Sequence, residues 1–380
     1  MNAAEERAKR GTVQSPFYDK FKAEMDRLGG FHNAHVHLDR ANTLDDGFVD
    51  HGRVQVLESS HISLQKKHKL IASVHEGPAY DPENLDARVR ATLDVMVGAG
   101  TRLVDTMVDV TPDRVGTSAL DQIMGIARDY GNRLTLRAAA YTPLGFRDDE
   151  PERWRVFEEG VKSADFIGCL PEADDVDDYP DNIGFEEHCV RMLDLARTTG
   201  KMLHVHTDQL NIPQENGTER LIEVTRREGV LEGDEPQVWA VHAISPSTYD
   251  DARWEAYVEA LLETNIGIIS CPSAAIGMRQ LRPIMTPTYN SIVRVLELAA
   301  AGVPIRMASD NIADMCSPTT TADLTDEVFM LSAALRYYKV EILAKFAAGV
   351  PLTDDERAAL REHLDRNDEE TEKLVRRWAG

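Results

Sequence analysis

His35 and His37 lie in Phe31-His-Asn-Ala-His-Val-His-Leu-Asp39, a run whose apolar and β-branched neighbours predict a strand. Alternate side chains of a strand share a face, so two imidazoles at this spacing can reach one divalent cation. His32 is out of phase with them. Histidine is the commonest metal ligand near neutral pH, yet a chain with 12 histidines can hold such a pair by chance. The pair needs partners from elsewhere, and three later segments offer them: His204-Val-His206-Thr-Asp208-Gln209, Trp239-Ala-Val-His242 and Ala308-Ser-Asp310-Asn311. His35, His37 and His206 supply nitrogen and Asp310 a carboxylate oxygen, a set that suits one divalent ion, zinc first, with iron(II) or manganese also accommodated. Water on such an ion can fall to a pKa of about 7. His242 is then placed to move protons between that water and a substrate.

These residues converge only if their segments are neighbouring strands. Eight β-rich runs recur, at Phe31–Leu38, Arg102–Val110, Leu134–Tyr141, Asp165–Leu170, Met202–Thr207, Val238–Ile244, Ile266–Cys271 and Ile305–Ser309. Helical patterns separate them. One is capped by Asn84 and stopped at Gly98 and Gly100; another runs from Tyr289 to Ala301. Alternation of strand and helix implies parallel strands, and eight units imply a closed (β/α)8 TIM barrel with its chemistry at the C-terminal strand ends. An open doubly wound sheet is the runner-up, without a Gly-rich dinucleotide fingerprint to support it. The interval after the first strand holds a polar stretch, Asp45–Arg53, and a helix expected around Val56–Ala72. A helical segment, Phe17–Leu28, precedes the barrel. A capping box, Thr353-Asp-Asp-Glu356, opens a charged helical tail reaching about Arg377. Residues 1–380 read as one domain, with a helical extension over 1–30 and the tail over 353–380.

Lys plus Arg number 42 against 65 Asp plus Glu, a formal charge of −23. That balance argues against nucleic acid or an anionic membrane surface as partner. No apolar run approaches the roughly 20 residues of a membrane-spanning helix. The N-terminal residues carry no apolar signal core, and Cys169, Cys189, Cys271 and Cys316 form no CxxC pair. Reduced thiols and a cytoplasmic location are expected, as is a homo-oligomer.

The ordered set (HxH on the first strand, His on the fifth and sixth, Asp on the eighth) resembles the amidohydrolase superfamily. Within it the chain is most similar to the cytosine deaminase-like branch, which includes N-alkylated triazine aminohydrolases. His37-Leu-Asp-Arg40, Val104-Asp-Thr-Met-Val-Asp-Val110, Leu170-Pro-Glu172 and Ser270-Cys-Pro-Ser273 resemble segments of that branch, and the likeness runs from about Phe31 to Pro318. It implies a mononuclear centre: no lysine stands near the end of the fourth strand to be carbamylated, and Lys162 precedes that strand. The resemblance also has gaps. Gln209 occupies the position of a proton-shuttling glutamate and cannot act as a general acid. Glu172 stands where the branch holds its substrate with Gln, Asn311 where a second Asp is usual, and Arg40 where a Lys is usual. The β-sandwich usual in that branch is expected to be absent.

The function expected is metal-dependent hydrolysis of a C–N bond in a small nitrogen heterocycle, releasing ammonia or an alkylamine. His242, Asp310 and Gln209 are the catalytic candidates; Glu172, Gln209 and Asn311 are the substrate contacts. Ring opening of a cyclic amide is the alternative chemistry, and a metal-free barrel that binds without turnover the alternative class. Asp208 is a substitute acid if it faces the site. His204 reads as a buried supporting residue, Met107 as packing or pocket lining, Asp109 as pocket lining, and Met278 with Arg279 as a pocket wall. The acidic run from Glu172 to Asp178 reads as a solvated loop.

Overall fold

The computed structural model describes residues 15–44, 46–48, 67, 70–233, 235–278 and 291–378. β1 (Phe31–His37), β2 (Thr101–Asp109), β3 (Thr135–Tyr141), β4 (Phe166–Cys169), β5 (Leu203–Thr207), β6 (Val238–His242), β7 (Ile266–Ser270) and β8 (Ile305–Met307) form one sheet in chain order. Every neighbouring pair is parallel. Around them run α1 (Pro16–Leu28), α2 (Ile71–Glu76), α3 (Pro82–Ala99), α4 (Ser118–Tyr130), α5 (Pro151–Ser163), α6 (Phe185–Thr199), α7 (Gly217–Glu228), α8 (Asp251–Thr264), α9 (Pro272–Gly277), α10 (Val295–Ala301), α11 (Leu324–Leu335), α12 (Val340–Ala348) and α13 (Asp354–Trp378). The architecture is the (β/α)8 barrel. Among the described residues no helix is long and apolar enough to cross a membrane.

Closure falls at the site. Val36 and Asp310 form a parallel bridge between the first and last strand segments. The Asp310 N–H donates to the His35 carbonyl at 2.9 Å, and the His37 N–H donates to the Asp310 carbonyl at 3.3 Å. Just below, the Asn33 amide donates to Ser309 Oγ (2.9 Å) and accepts the Ser309 N–H (3.0 Å), completing the seam through a side chain. Three candidate ligands thus sit where the barrel is stitched shut.

A large apolar core lies between strands and helices. Smaller clusters fill the barrel: Met107, Ala139, Tyr141 and Phe166 in one, Trp239, Val241, Ile269 and Ala308 in another. Gly168 makes the first cluster possible. A Cβ there would lie 2.4 Å from Met107 Sδ and 3.0 Å from Tyr141 Cβ, so only glycine lets β4 approach these side chains. Met107 is therefore a packing residue.

Several boundaries differ from expectation. α3 begins at Pro82, because proline suits the first helical position and the Asn84 side chain is engaged with Arg88 Nε at 2.8 Å. Gly98 lies inside that helix, and Gly100, at φ +98°, supplies its left-handed cap. The helix expected from Tyr289 starts at Val295; Tyr289 and Asn290 lie outside the described residues. Ile292 and Val293 are buried but not helical, and the Ser247 hydroxyl holds the Ile292 carbonyl at 3.0 Å. Of the helix expected around Val56–Ala72, residues 56–66, 68 and 69 lie outside the described residues, and α2 covers Ile71–Glu76. α13 opens with the expected capping box: the Thr353 N–H donates to Glu356 Oε2 at 2.7 Å, and the Glu356 N–H to Thr353 Oγ1 at 3.3 Å.

Candidate metal centre and active site

Strand alternation points His35 and His37 of β1 and His206 of β5 into the barrel mouth, and Asp310 joins them just past β8. One ligand atom from each of these four buried residues lies within 4.8 Å of the others. Asp310 Oδ1 is 3.7 Å from His35 Nε2 and 3.5 Å from His37 Nε2. The His35 and His206 rings are 4.7 Å apart. His206 Nδ1 lies 2.9 Å from the Cys169 carbonyl, a contact that needs the proton on Nδ1 and leaves Nε2 with its lone pair. Both ring nitrogens of His35 are buried with no hydrogen-bond partner among the described residues. Orphaned buried nitrogen is rare and costly, and a cation among these four groups resolves it.

The charge states agree. Burial, and then the neighbouring imidazoles, hold His35 well below the ordinary histidine range. Burial brings His206 down to about 4, so both rings are neutral lone-pair donors at pH 7. Burial, reinforced by Asp314, pushes the metal-free Asp310 carboxyl up to about 7. The four residues fit a divalent ion. Lys162 lies on the outer surface of α5, 70% exposed and paired with Glu159 at 2.6 Å, far from any bridging role.

Left-handed backbone turns the strand ends. Asp310 has φ 62°, His242 φ 76° and Asp208 φ 60°, conformations that non-glycine residues adopt only when the surroundings impose them. The turn at His242 ends β6 short of the expected Ile244, and β8 ends at Met307, short of the expected Ser309. The His242 ring packs 5.5 Å from that of His206 and 6.3 Å from that of His35, beside the ligand set. Asn311 turns its amide onto Asp310 Oδ1 at 3.2 Å, so it positions the carboxylate. Tyr141 packs 5.3 Å from both the His37 and His206 rings.

Glu172, just past β4, and Gln209, just past β5, meet on the adjacent rim: Gln209 Nε2 donates to Glu172 Oε2 at 2.7 Å. Both line a cavity of about 320 Å³ with Pro143, Leu170 and Leu210. Glu215, absent from the sequence reading, belongs to the same rim. It accepts the Gln209 N–H (3.1 Å), the Leu210 N–H (2.8 Å) and the Ser245 hydroxyl. It carries no periodic or motif signal.

Other expectations need correction. Asp208 faces away from the site and caps α7, accepting the Gly217 and Thr218 N–H groups at 2.6 and 2.8 Å and the Thr218 hydroxyl. It is not a substitute acid. His204 is fully buried, its ring 4.6 Å from Phe166, a supporting place. Asp109 does not line the pocket: Tyr80 donates to its Oδ2 at 3.0 Å, His75 Nε2 lies 2.9 Å away and Arg40 Nη1 3.5 Å away. Asp174, in the acidic run, is fully buried against the Phe146 N–H (2.7 Å) and His188 Nδ1 (2.6 Å). Only the exposed part from Val176 to Asp178 is the solvated loop expected. Met278 is described; Arg279 lies outside the described residues.

No family model matches the chain. It is 30% identical to an uncharacterized protein of Haemophilus influenzae over 287 residues, 74% of this chain and 95% of that protein. It is 23% identical to a pterin deaminase of Rhizobium rhizogenes over 230 residues, 60% of this chain but only 49% of that protein. Its fold is similar to that of 5-methylcytosine deaminase from Klebsiella pneumoniae, with a TM-score of 0.70 and 21% identity over 88% of this chain and 82% of that one. These likenesses bear on the fold: the chain shares its (β/α)8 barrel with the deaminase of known structure.

Proposed function

We propose that the protein is a metal-dependent hydrolase that removes an exocyclic amino or alkylamino group from a small nitrogen heterocycle. The observation that carries this reading is the buried four-residue set of His35, His37, His206 and Asp310, with both His35 ring nitrogens lacking a hydrogen-bond partner among the described residues and His242 alongside. The relatives named as deaminases act on pterin and 5-methylcytosine, both nitrogen heterocycles. One ion per chain fits a single four-ligand cluster, and zinc suits three imidazoles and one carboxylate.

When bound, the ion supplies an acidified water and polarises the attacked carbon. The chain's own groups do the rest. Asp310, oriented by Asn311, takes the first proton of the attacking water. His242 carries a proton to the departing nitrogen. Glu172 and Gln209 meet the polar edge of the ring on the strand-four and strand-five rim, with Tyr141 packed beside the ligands.

The test is metal analysis of the purified chain together with a hydrolysis screen over aminopyrimidines, aminotriazines and pterins, read as ammonia or amine release. About one ion per chain and turnover of at least one ring are expected. A chain that takes up no ion at the four-residue site, or hydrolyses none of these rings, sinks the reading. A ring-opened product without amine release moves it to cyclic amide hydrolysis.

A further inference from the structure

We propose that Glu172 is the group that delivers a proton to a ring nitrogen of the substrate, a role Gln209 cannot take; this rests on the heterocycle-hydrolase reading above. As water oxygen bonds to the amino-bearing ring carbon, the C=N electron pair moves onto the adjacent ring nitrogen, which must be protonated. A carboxylic acid on the rim can supply that proton.

The hydrogen bonds around the mouth single out one carboxyl. Asp208 is committed to capping α7. Glu215 has both oxygens occupied by backbone N–H groups and Ser245. Asp174 is held by the Phe146 N–H and His188, and Asp175 is paired with Arg220. Asp310 belongs to the metal set. Glu172 differs from all of these: Oε2 accepts from Gln209 at 2.7 Å and the Asp208 backbone N–H also points at the carboxyl, while Oε1 is buried with no hydrogen-bond partner among the described residues. A buried carboxylate oxygen without a donor is unfavourable. A protonated one is a donor waiting for an acceptor, and a ring nitrogen is such an acceptor. Gln209 fixes which oxygen carries the proton, since its N–H can bond only to the unprotonated Oε2.

The surroundings keep the proton there. The Glu215 carboxylate shares the cavity with Glu172, the Asp208 carboxylate acts on it only through its charge from the α7 cap, and Asp175 stands three residues on. Arg220, the cation of the same cavity, is bound to Asp175 and Glu186. Burial first, then the Glu215 and Asp208 charges, hold the Glu172 carboxyl well above the ordinary carboxylate range.

The step balances. The C–O bond forms, the ring nitrogen takes the Glu172 proton, and the C–N bond to the amine breaks as that nitrogen gains a proton through His242. Water has brought two protons; one leaves with ammonia and the other restores Glu172. The substrate class follows: a neutral cyclic amidine whose ring nitrogen lacks a proton, such as an aminopyrimidinone alone or fused, and not a ring already cationic.

The test compares wild type, E172Q and the exchange variant E172Q/Q209E as full-length, metal-loaded protein on the best amino-heterocycle from the screen. We expect E172Q to lower kcat by about 10²-fold or more with KM within a few-fold, and the exchange variant to regain about tenfold or more of that loss. Infrared difference spectra of wild type minus E172Q near pH 7, with or without metal, should show the carbonyl stretch of an un-ionised carboxylic acid. Thermal melts establish that both variants fold. E172Q at wild-type kcat, a loss confined to KM, or a difference spectrum showing a carboxylate overturns the assignment. A wild type that turns over no amino-heterocycle sinks the hydrolase reading and this assignment with it, a result distinct from an active wild type matched by E172Q.

Discussion

Two buried polar clusters flank β1, and they are built on opposite terms. His35, His37, His206 and Asp310 bring lone pairs and one carboxylate together, with Arg40 reaching only the outer nitrogen of His37. Asp39, Arg40, His75, Tyr80, Asp109 and Asp113 contain their own cations. Tyr80 donates to Asp39 Oδ2 (2.9 Å) and Asp109 Oδ2 (3.0 Å), and the Asp109 N–H donates to Asp39 Oδ2 at 2.8 Å. His75 bridges Asp109 and Asp113 at 2.9 and 2.7 Å. Charge compensation by Arg40 and His75 suits the second cluster to a scaffold role, while the donor set of the first fits a divalent ion. Arg40 touches both, with Nη2 2.6 Å from His37 Nδ1. A guanidinium only donates. Ligation through His37 Nε2 requires the ring proton on Nδ1, so Arg40 must turn fully toward Asp109 when an ion is held.

The comparison breaks most visibly at its ligand side. His35→Ala and His206→Ala should each reduce bound metal from about one per chain to near zero and kcat/KM by more than about 10³-fold, about 4 kcal/mol in barrier. Elemental analysis and steady-state kinetics check both. Full metal content in both variants would mean the cluster is not a ligand set. On the scaffold side, Asp109→Asn leaves Arg40 and His75 short of a charge partner. It should cost about 3–5 kcal/mol in denaturant unfolding while metal content stays at wild-type level. Lost metal with unchanged stability would reverse the roles assigned to the two clusters.

The ligand side was legible in the sequence because strand periodicity and strand-end position are local signals. Eight β-rich runs and the residues ending them, His35-Val-His37, His206, His242 and Asp310, needed no long-range knowledge. The strand end at β6 is overextended because the left-handed turn at His242 leaves no mark on apolar patterning. The helix expected from Tyr289 had the right apolar spacing, but a distant hydroxyl, Ser247, fixes the carbonyl of Ile292. The scaffold cluster was barely legible. Its hydrogen bonds join Asp39, His75, Tyr80 and Asp109 across gaps of 29 to 70 residues within the cluster, and no period links them. Glu215 was missed for the same reason, and Asp174 was read as solvated because a run of acids looks alike whichever way each side chain points.

The smallest effect probes how the scaffold compensates its charge. Burial alone would lower the His75 pKa, but its hydrogen bonds to Asp109 and Asp113 outweigh it and raise the group to about 9 from an ordinary 6.5. The imidazolium therefore contributes stability that is fully present below pH 6.5 and is lost as pH rises through about 9. The interval corresponds to about 3 kcal/mol. His75→Gln keeps one donor and removes the titration, so the stability difference between wild type and variant should be largest near pH 6 and shrink by about that amount by pH 10. Urea unfolding of both proteins across this range measures it, since every other titrating group is common to both and cancels. A difference independent of pH would mean that His75 is held neutral. The scaffold would then lean on Arg40 alone for its positive charge, and Arg40 could not turn toward His37 without leaving Asp109 uncompensated.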